Sequence, residues 1–205
     1  MKEIIAIHGW AGNSNQWSNW IDLFKCSDWK WQNAERGYTD INPNTPKWTN
    51  SSNHIGLKRV VICHSLGAHL IDKSVLYTAT HIILINGFSR FIPSSKENRS
   101  VSMSLNRMLN TINTPNEPSM LKKFHIKANK PNEINLESTE SNLLHISDAG
   151  RLRLENDLKL LIKSDSLPTG LNTDAKVLVV NSEKDLILAN KTKEKLVEDL
   201  KKFLK

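Results

Sequence analysis

Along the first 87 residues, continuous runs of apolar residues alternate with segments in which apolar residues recur at helical spacing. Within this stretch, Trp17, Ile21 and Phe24 are spaced by four and three, which predicts a helix from about Ser14. A second helical pattern reaches about Thr78. Alternating strands and helices are typical of a parallel sheet with helices on its faces. Four runs are predicted to be strands: Lys2–His8, Trp29–Asn33, Arg59–Cys63 and His81–Asn86.

The pattern changes after Phe88. From there to about Thr173 no strand is predicted, and the α/β pattern then resumes with a buried run at Ala175–Asn181 and a helix from about Asn190. We therefore predict an α/β core of residues 1–87 and 174–205, with residues 88–173 inserted as a helical cap. Three amphipathic helices are predicted in this cap: Ser102–Asn113, Glu117–Ala128 and Arg151–Lys163.

Composition narrows the class of protein. Hydrophobic residues make up 39% of the 205 residues and charged residues 24%, which is typical of a globular chain. The longest aliphatic runs have about four residues, whereas a membrane span needs roughly 20, and no secretory signal is recognised, so we expect a cytoplasmic protein. Cys26 and Cys63 have no partners at metal-ligand spacing, and we expect neither a metal nor a cofactor.

Positive charge is concentrated in the predicted cap. The chain has 28 Lys and Arg against 21 Asp and Glu, a net charge of +7. Between Arg90 and Lys130 there are eight basic residues and two acidic ones. This local excess favours an acidic partner. Nucleic acid is the less favoured partner, because no groove-reading motif or stacking platform accompanies the basic residues.

The sequence Cys63-His64-Ser65-Leu66-Gly67 matches a nucleophile-elbow pattern, G-x-S-x-G, with Cys at its first small position. In such an elbow the serine lies on a tight turn between a strand and a helix, and small neighbours allow the backbone to pass closely. A buried strand precedes this motif and a helical pattern follows it. Ser65 is therefore the predicted nucleophile.

Two further segments fit the same chemistry. His8-Gly9-Trp10 follows the first strand, where we expect the backbone N–H of Trp10 to join that of Leu66 in an oxyanion hole. His8 is expected to brace this loop rather than carry a proton. Asp185 follows the last predicted strand and is the preferred triad acid, with Glu183 as the alternative.

The general base is not evident, because none of the seven histidines follows Asp185. His64 should point away from the nucleophile, and His69 belongs to the elbow helix. His125 and His145 lie in the cap and would need an unusual arrangement to reach the serine. We first expect a chain shorter than a complete catalytic domain; a relocated base and a hydrolase homologue without efficient catalysis are the second and third explanations.

These motifs resemble the α/β-hydrolases that act as pimeloyl-[acyl-carrier protein] methyl ester esterases in biotin synthesis, the BioH and BioK type. The likeness includes His8-Gly9-Trp10, the Ser65 motif and Asp185-Leu186-Ile187. Two cap segments carry the likeness to this particular group: Met120-Leu121-Lys122-Lys123-Phe124 and Leu154–Leu161 followed by Ser164-Asp165. The departures are Cys63 in place of Gly and the absence of a histidine after Asp185.

The resemblance implies an α/β-hydrolase fold and a serine esterase without a cofactor. Ser65 and Asp185 would be catalytic, Trp10 and Leu66 would bind the oxyanion and substrate, and Phe124 would contact the acyl chain. The implied partner is an acyl carrier protein carrying a pimeloyl methyl ester, which we expect to dock on the basic cap residues Lys123, Lys127 and Lys130. A generic short-chain carboxylesterase and a catalytically impaired acyl-binding or carrier-binding homologue are the alternatives.

Overall fold

The computed structural model describes residues 2–49, 56–94, 98–132 and 146–204. Its five strands form one sheet in the order β2-β1-β3-β4-β5, and all four neighbouring pairs are parallel. The predicted parallel sheet is therefore confirmed. The strands are β1 (Lys2–Ile7), β2 (Trp29–Ala34), β3 (Lys58–His64), β4 (His81–Ile85) and β5 (Lys176–Val180).

The helices follow the predicted order closely. The predicted helix after β1 begins as a 3₁₀ turn at Ser14–Trp17. The α-helices in the described part of the chain are α1 (Ser18–Phe24), α2 (Gly67–Leu70), α3 (Lys73–Tyr77), α4 (Asn98–Thr111), α5 (Glu117–Asn129), α6 (Asp148–Lys163) and α7 (Asn190–Phe203).

Apolar side chains from alternate positions of the central strands cover both faces of the sheet. Ile5 and Ile7 of β1 pack with α3 and α7 on one face, where Leu196 is fully buried. Ile4 packs on the opposite face with Trp17. Burying one such Ile or Leu side chain stabilises the fold by about 1.5–3 kcal/mol. Burial on both faces explains why β1 and β3 are nearly unbroken apolar runs in sequence.

The prediction of one helical segment from the Ser65 turn to about Thr78 is wrong in one respect, because two short helices, α2 and α3, occupy that segment. Ile71 is extended, with ψ of 147°, and ends α2 after four residues. The Asp72 side chain then accepts a hydrogen bond from Ser74 N at 2.8 Å and begins α3. A side-chain cap of this kind competes successfully with helix continuation.

The helices α4, α5 and α6 lie between β4 and β5 in the chain. Their buried residues, including Leu105, Leu121 and Leu154, join Trp10 and Leu66 in one apolar cluster. This cluster packs the three helices against the loops that follow β1 and β3. None of the described helices is both long and apolar enough to cross a lipid bilayer.

Candidate active site

Ser65 lies in a left-handed turn directly after β3, with φ of +53°. Its backbone N–H donates to the Ile85 carbonyl at the end of β4, at 2.8 Å. A Cβ added at Gly67 would lie 2.8 Å from Ile7 Cγ2 and 2.9 Å from the His8 carbonyl oxygen, so only glycine fits there without displacement. The predicted tight turn with small neighbours is present, and Ser65 borders an open cleft.

The loop after β1 passes very close to Ser65. A Cβ added at Gly9 would lie 3.0 Å from Ser65 Cβ and 3.2 Å from the His64 carbonyl oxygen. Within the described ranges, neither the Trp10 nor the Leu66 backbone N–H donates to a backbone or side-chain acceptor. The Leu66 side chain is fully buried and does not line the cleft. Two backbone donors therefore stay available beside Ser65, although their oxyanion role stays a prediction.

His8 contacts its own loop and the segment after β2, and it makes no hydrogen bond to Ser65. Its Nδ1 lies 2.8 Å from the Gly9 carbonyl oxygen. Its Nε2 lies 3.0 Å from Glu35 Oε1 and 3.1 Å from the Arg36 backbone nitrogen. The ring is fully buried. Burial, the largest influence, raises the pKa of Glu35, but hydrogen bonding and charge from His8 and backbone N–H donors from Gly37 and Ser14 outweigh it and hold this pKa at about 2. This arrangement agrees with the predicted bracing role of His8.

The cleft beside Ser65 has a volume of about 590 Å³ and lies between the cap helices and the loops that follow the strands. Volumes of 300–1,000 Å³ are typical of sites for small molecules. Its polar lining residues include Arg107 of α4 and Lys123 and Lys127 of α5, all largely exposed, whereas Lys130 is not in the lining. The apolar lining consists of Trp10, Phe91, Val101, Leu105, Met108, Met120, Phe124, Leu158, Leu161 and Ile187.

Trp10 and Phe124, both predicted to bind substrate, meet in this cleft. Their ring centroids are 5.0 Å apart at an interplanar angle of 83°, an edge-to-face contact. The Trp10 indole also donates from Nε1 to the Leu154 carbonyl of α6, at 2.8 Å. The loop next to Ser65 is thereby tied to two helices of the cap.

Asp185 lies in the loop after β5, as predicted, and is half-buried. Its Oδ1 accepts from the backbone N–H groups of Ile187 and Leu188, at 2.7 and 3.1 Å. Ile187 lines the cleft, so this loop reaches the site. Glu183, the alternative acid, is exposed. The catalytic role of Asp185 stays a prediction.

None of the five described histidines hydrogen-bonds to Ser65. His69 Nε2 lies 2.9 Å from the Phe88 carbonyl oxygen, and the two rings stack. His81 contacts Thr80, far from the elbow turn in sequence. His54 and His145 lie outside the described residues.

Two other histidines are held largely in their neutral form by burial. Burial, with a smaller contribution from nearby His8, lowers the pKa of His64 to about 4, and the Asp185 carboxylate opposes part of this shift. Burial also lowers the pKa of His125 to about 4, and its Nε2 has no hydrogen-bond partner among the described residues. His125 is not among the residues that line the cleft.

A buried polar cluster beneath the cap was not identified from the sequence. Asp157 of α6 accepts two hydrogen bonds from Arg36, from Nε at 2.8 Å and from Nη2 at 2.7 Å, and a third from the Tyr38 hydroxyl at 2.6 Å. Burial and the adjacent Asp157 carboxylate raise the pKa of Tyr38. The only sequence signal was the position of Asp157 on the apolar stripe of its helix, between Leu154 and Leu158.

No protein-family model and no curated protein matches this sequence. Solved structures do match it. An esterase from Exiguobacterium antarcticum is 14% identical, with a TM-score of 0.67, covering 98% of this chain and 80% of that chain. A hydrolase from Oleispira antarctica is 12% identical with a TM-score of 0.68 and the same two coverages. An α/β-hydrolase from a Medee basin deep-sea metagenome library is 12% identical, with a TM-score of 0.58, covering 97% and 78%.

Identities this low establish the fold alone. The chain has the α/β-hydrolase fold, as the Ser65 motif and the strand order indicated.

Proposed function

We propose that this chain is a serine carboxylic ester hydrolase. The observation that carries the proposal is the strained turn at Ser65, which borders an apolar cleft and stands beside two unoccupied backbone donors. Substrate enters the cleft as an ester whose acyl chain contacts Trp10 and Phe124. Asp185 would orient the base that accepts the Ser65 proton.

The reaction has two steps. Ser65 Oγ attacks the ester carbonyl, and the N–H groups of Trp10 and Leu66 stabilise the resulting oxyanion. The alcohol leaves with a proton, and an acyl-serine forms. Water then attacks this acyl group and releases the acid with regeneration of Ser65. Removing one oxyanion donor typically costs about 2.7–4 kcal/mol in the barrier, so the loop at Trp10 is as important as the nucleophile.

The cationic side of the cleft supports a more specific class of substrate, an ester attached to an acidic carrier. Arg107, Lys123 and Lys127 line the cleft, and its lining contains no Asp or Glu among the described residues. Like the +7 net charge, this favours an acidic carrier. We therefore propose the methyl ester of pimeloyl-acyl carrier protein as substrate, a step of cytoplasmic biotin synthesis, with Lys130 at the outer edge of the docking surface.

A generic short-chain carboxylesterase fits the apolar cleft equally well. In that case the lysines would be solvated and would not affect turnover. A third candidate is a homologue that binds acyl groups or carrier protein without efficient hydrolysis, which the described histidines favour because none of them hydrogen-bonds to Ser65.

Charge reversal separates the first two candidates. Lys123→Glu with Lys127→Glu should reduce kcat/KM for carrier-linked pimeloyl methyl ester by at least tenfold and leave p-nitrophenyl butyrate unaffected. Lys191→Glu with Lys201→Glu on α7 is the matched control, because it makes the same change in net charge outside the cleft lining. Equal losses on both substrates, or equal losses in both double variants, would reject carrier docking on the cap.

The same small ester tests the hydrolase proposal itself. A burst of p-nitrophenol that requires Ser65 supports acyl-enzyme formation. Absence of any p-nitrophenol release above the buffer rate in the unsubstituted chain would favour the non-catalytic homologue.

A further inference from the structure

We infer that Glu35 and His8 are positioning residues that set the direction of the Trp10 N–H in the oxyanion hole. The inference deepens the proposed function and rests on it only for its kinetic readout. Glu35 follows β2, and the His8 loop follows β1, its neighbour in the sheet. The two side chains meet where the carboxyl ends of these parallel strands lie together.

Glu35 is nearly fully buried, and its carboxylate joins its own loop to the loop after β1. Oε1 lies 3.0 Å from His8 Nε2 and accepts from Gly37 N at 2.8 Å, while Oε2 accepts from Ser14 N at 2.7 Å. The Glu35 backbone is itself fixed, because its N–H and carbonyl pair with Asn44 at 2.9 Å each. A buried carboxylate with this many donors has a defined position. It holds the imidazole together with the Arg36 backbone nitrogen, which lies 3.1 Å from the same His8 Nε2.

His8 passes this constraint to the Gly9 carbonyl. That carbonyl oxygen can only accept, so the proton on the bond of 2.8 Å belongs to His8 Nδ1. Gly12 N donates to the same oxygen at 3.2 Å. The Gly9 carbonyl is therefore held by two donors on the side of the loop that faces the imidazole.

Peptide planarity carries the constraint to Trp10. The Gly9–Trp10 peptide is trans, so its carbonyl and its N–H point in opposite directions. Holding the Gly9 oxygen towards His8 turns the Trp10 N–H away from His8. If the oxygen were released, the peptide could rotate and present an oxygen, instead of a donor, to the developing oxyanion. Glu35 thus acts on the reaction through His8 and the peptide, without touching substrate.

Glu35→Leu, which removes every acceptor of the carboxylate, tests this chain of contacts. We expect the acylation rate with p-nitrophenyl butyrate to fall by about 10²–10³-fold, the loss typical of one oxyanion donor, while KM changes less than threefold. Glu35→Gln should recover part of the rate, because its amide can still accept from the loop and donate to His8. Glu3→Leu is the matched control: Glu3 is a fully buried carboxylate of β1 that accepts from Thr49, and its loss should lower stability without changing acylation.

A crystal structure of the Glu35→Leu variant gives the readout that needs no activity. We expect the Gly9 carbonyl to leave His8 in the variant, and an unchanged Gly9–Trp10 peptide would overturn the inference. If Glu35→Leu does not fold, His8→Phe combined with Glu35→Leu replaces both partners by apolar groups and answers the same question. Absence of acylation in the unsubstituted chain would reject the proposed function alone, because the peptide orientation is measured independently. Equal kinetic losses in the Glu3 and Glu35 variants would show that Glu35 is only structural.

Discussion

The left-handed backbone at Ser65 predicts an unusual order of stability between glycine and alanine. An L-residue in this conformation costs about 1–2 kcal/mol relative to the right-handed helical region, and glycine escapes that cost. Alanine shares it with serine, because the cost arises from Cβ. In the middle of a helix the preference is reversed, since glycine is about 1 kcal/mol less favourable than alanine. The Gly variant at position 65 should therefore be more stable, relative to the Ala variant, than it would be at a helical position. Both substitutions remove the nucleophile.

The matched comparison uses Ser104, an exposed residue inside α4. Ser65→Gly, Ser65→Ala, Ser104→Gly and Ser104→Ala are each unfolded in urea at pH 7 and followed by tryptophan fluorescence. At each position we take the free energy of unfolding of the Gly variant minus that of the Ala variant. This difference should be about 1–2 kcal/mol more favourable to Gly at position 65 than at position 104. The same difference in free energy of unfolding at the two positions would refute the claim that the Ser65 turn is strained.

Two further predictions concern buried side chains. Trp10→Phe should cost about 1 kcal/mol of stability through loss of the Nε1 hydrogen bond to Leu154, and it should slow acylation. Trp48→Phe is the control, because it loses a similar hydrogen bond to Val75 and should have a similar cost in stability with normal acylation. Equal acylation rates in the two variants would contradict the role of Trp10. Because burial lowers the pKa of His125 from 6.5 to about 4, the unfolded chain binds the proton more readily, and stability should fall by roughly 2 kcal/mol between pH 6.5 and pH 5. His125→Leu should remove this part of the pH dependence in urea titrations, whereas an unchanged slope would show that another group is responsible.

The sheet and the elbow were predictable because local sequence determines them. β1 and β3 are covered on both faces, so they appear as apolar runs, and the turn at Ser65 needs small residues at fixed spacing. The interruption after α2 was predictable in principle from Asp72 and Ser74, a side-chain cap. The helical spacing around these residues concealed it, because periodicity alone does not register a capping residue inside a regular pattern.

The polar contacts that hold the site were not predictable from sequence spacing. Glu35 lies 27 residues from His8, and Asp157 lies 121 residues from Arg36. A carboxylate on the buried stripe of α6 signals that a partner exists, because an unpaired buried charge is costly. Which partner it meets depends on how the cap packs on the loop after β2, and only the assembled fold specifies this. The general base could not be assigned in the same way, because a base is defined by its distance from Ser65.

Covalent capture tests directly whether Ser65 is an activated nucleophile. The chain is treated with an alkyl fluorophosphonate, and its intact and tryptic masses are measured alongside those of the Ser65→Ala variant. We expect one phosphonyl group per chain, located on Ser65 and absent from the Ala variant. No adduct on the unsubstituted chain, or an equal adduct on both proteins, would contradict the assignment of Ser65 as an activated nucleophile.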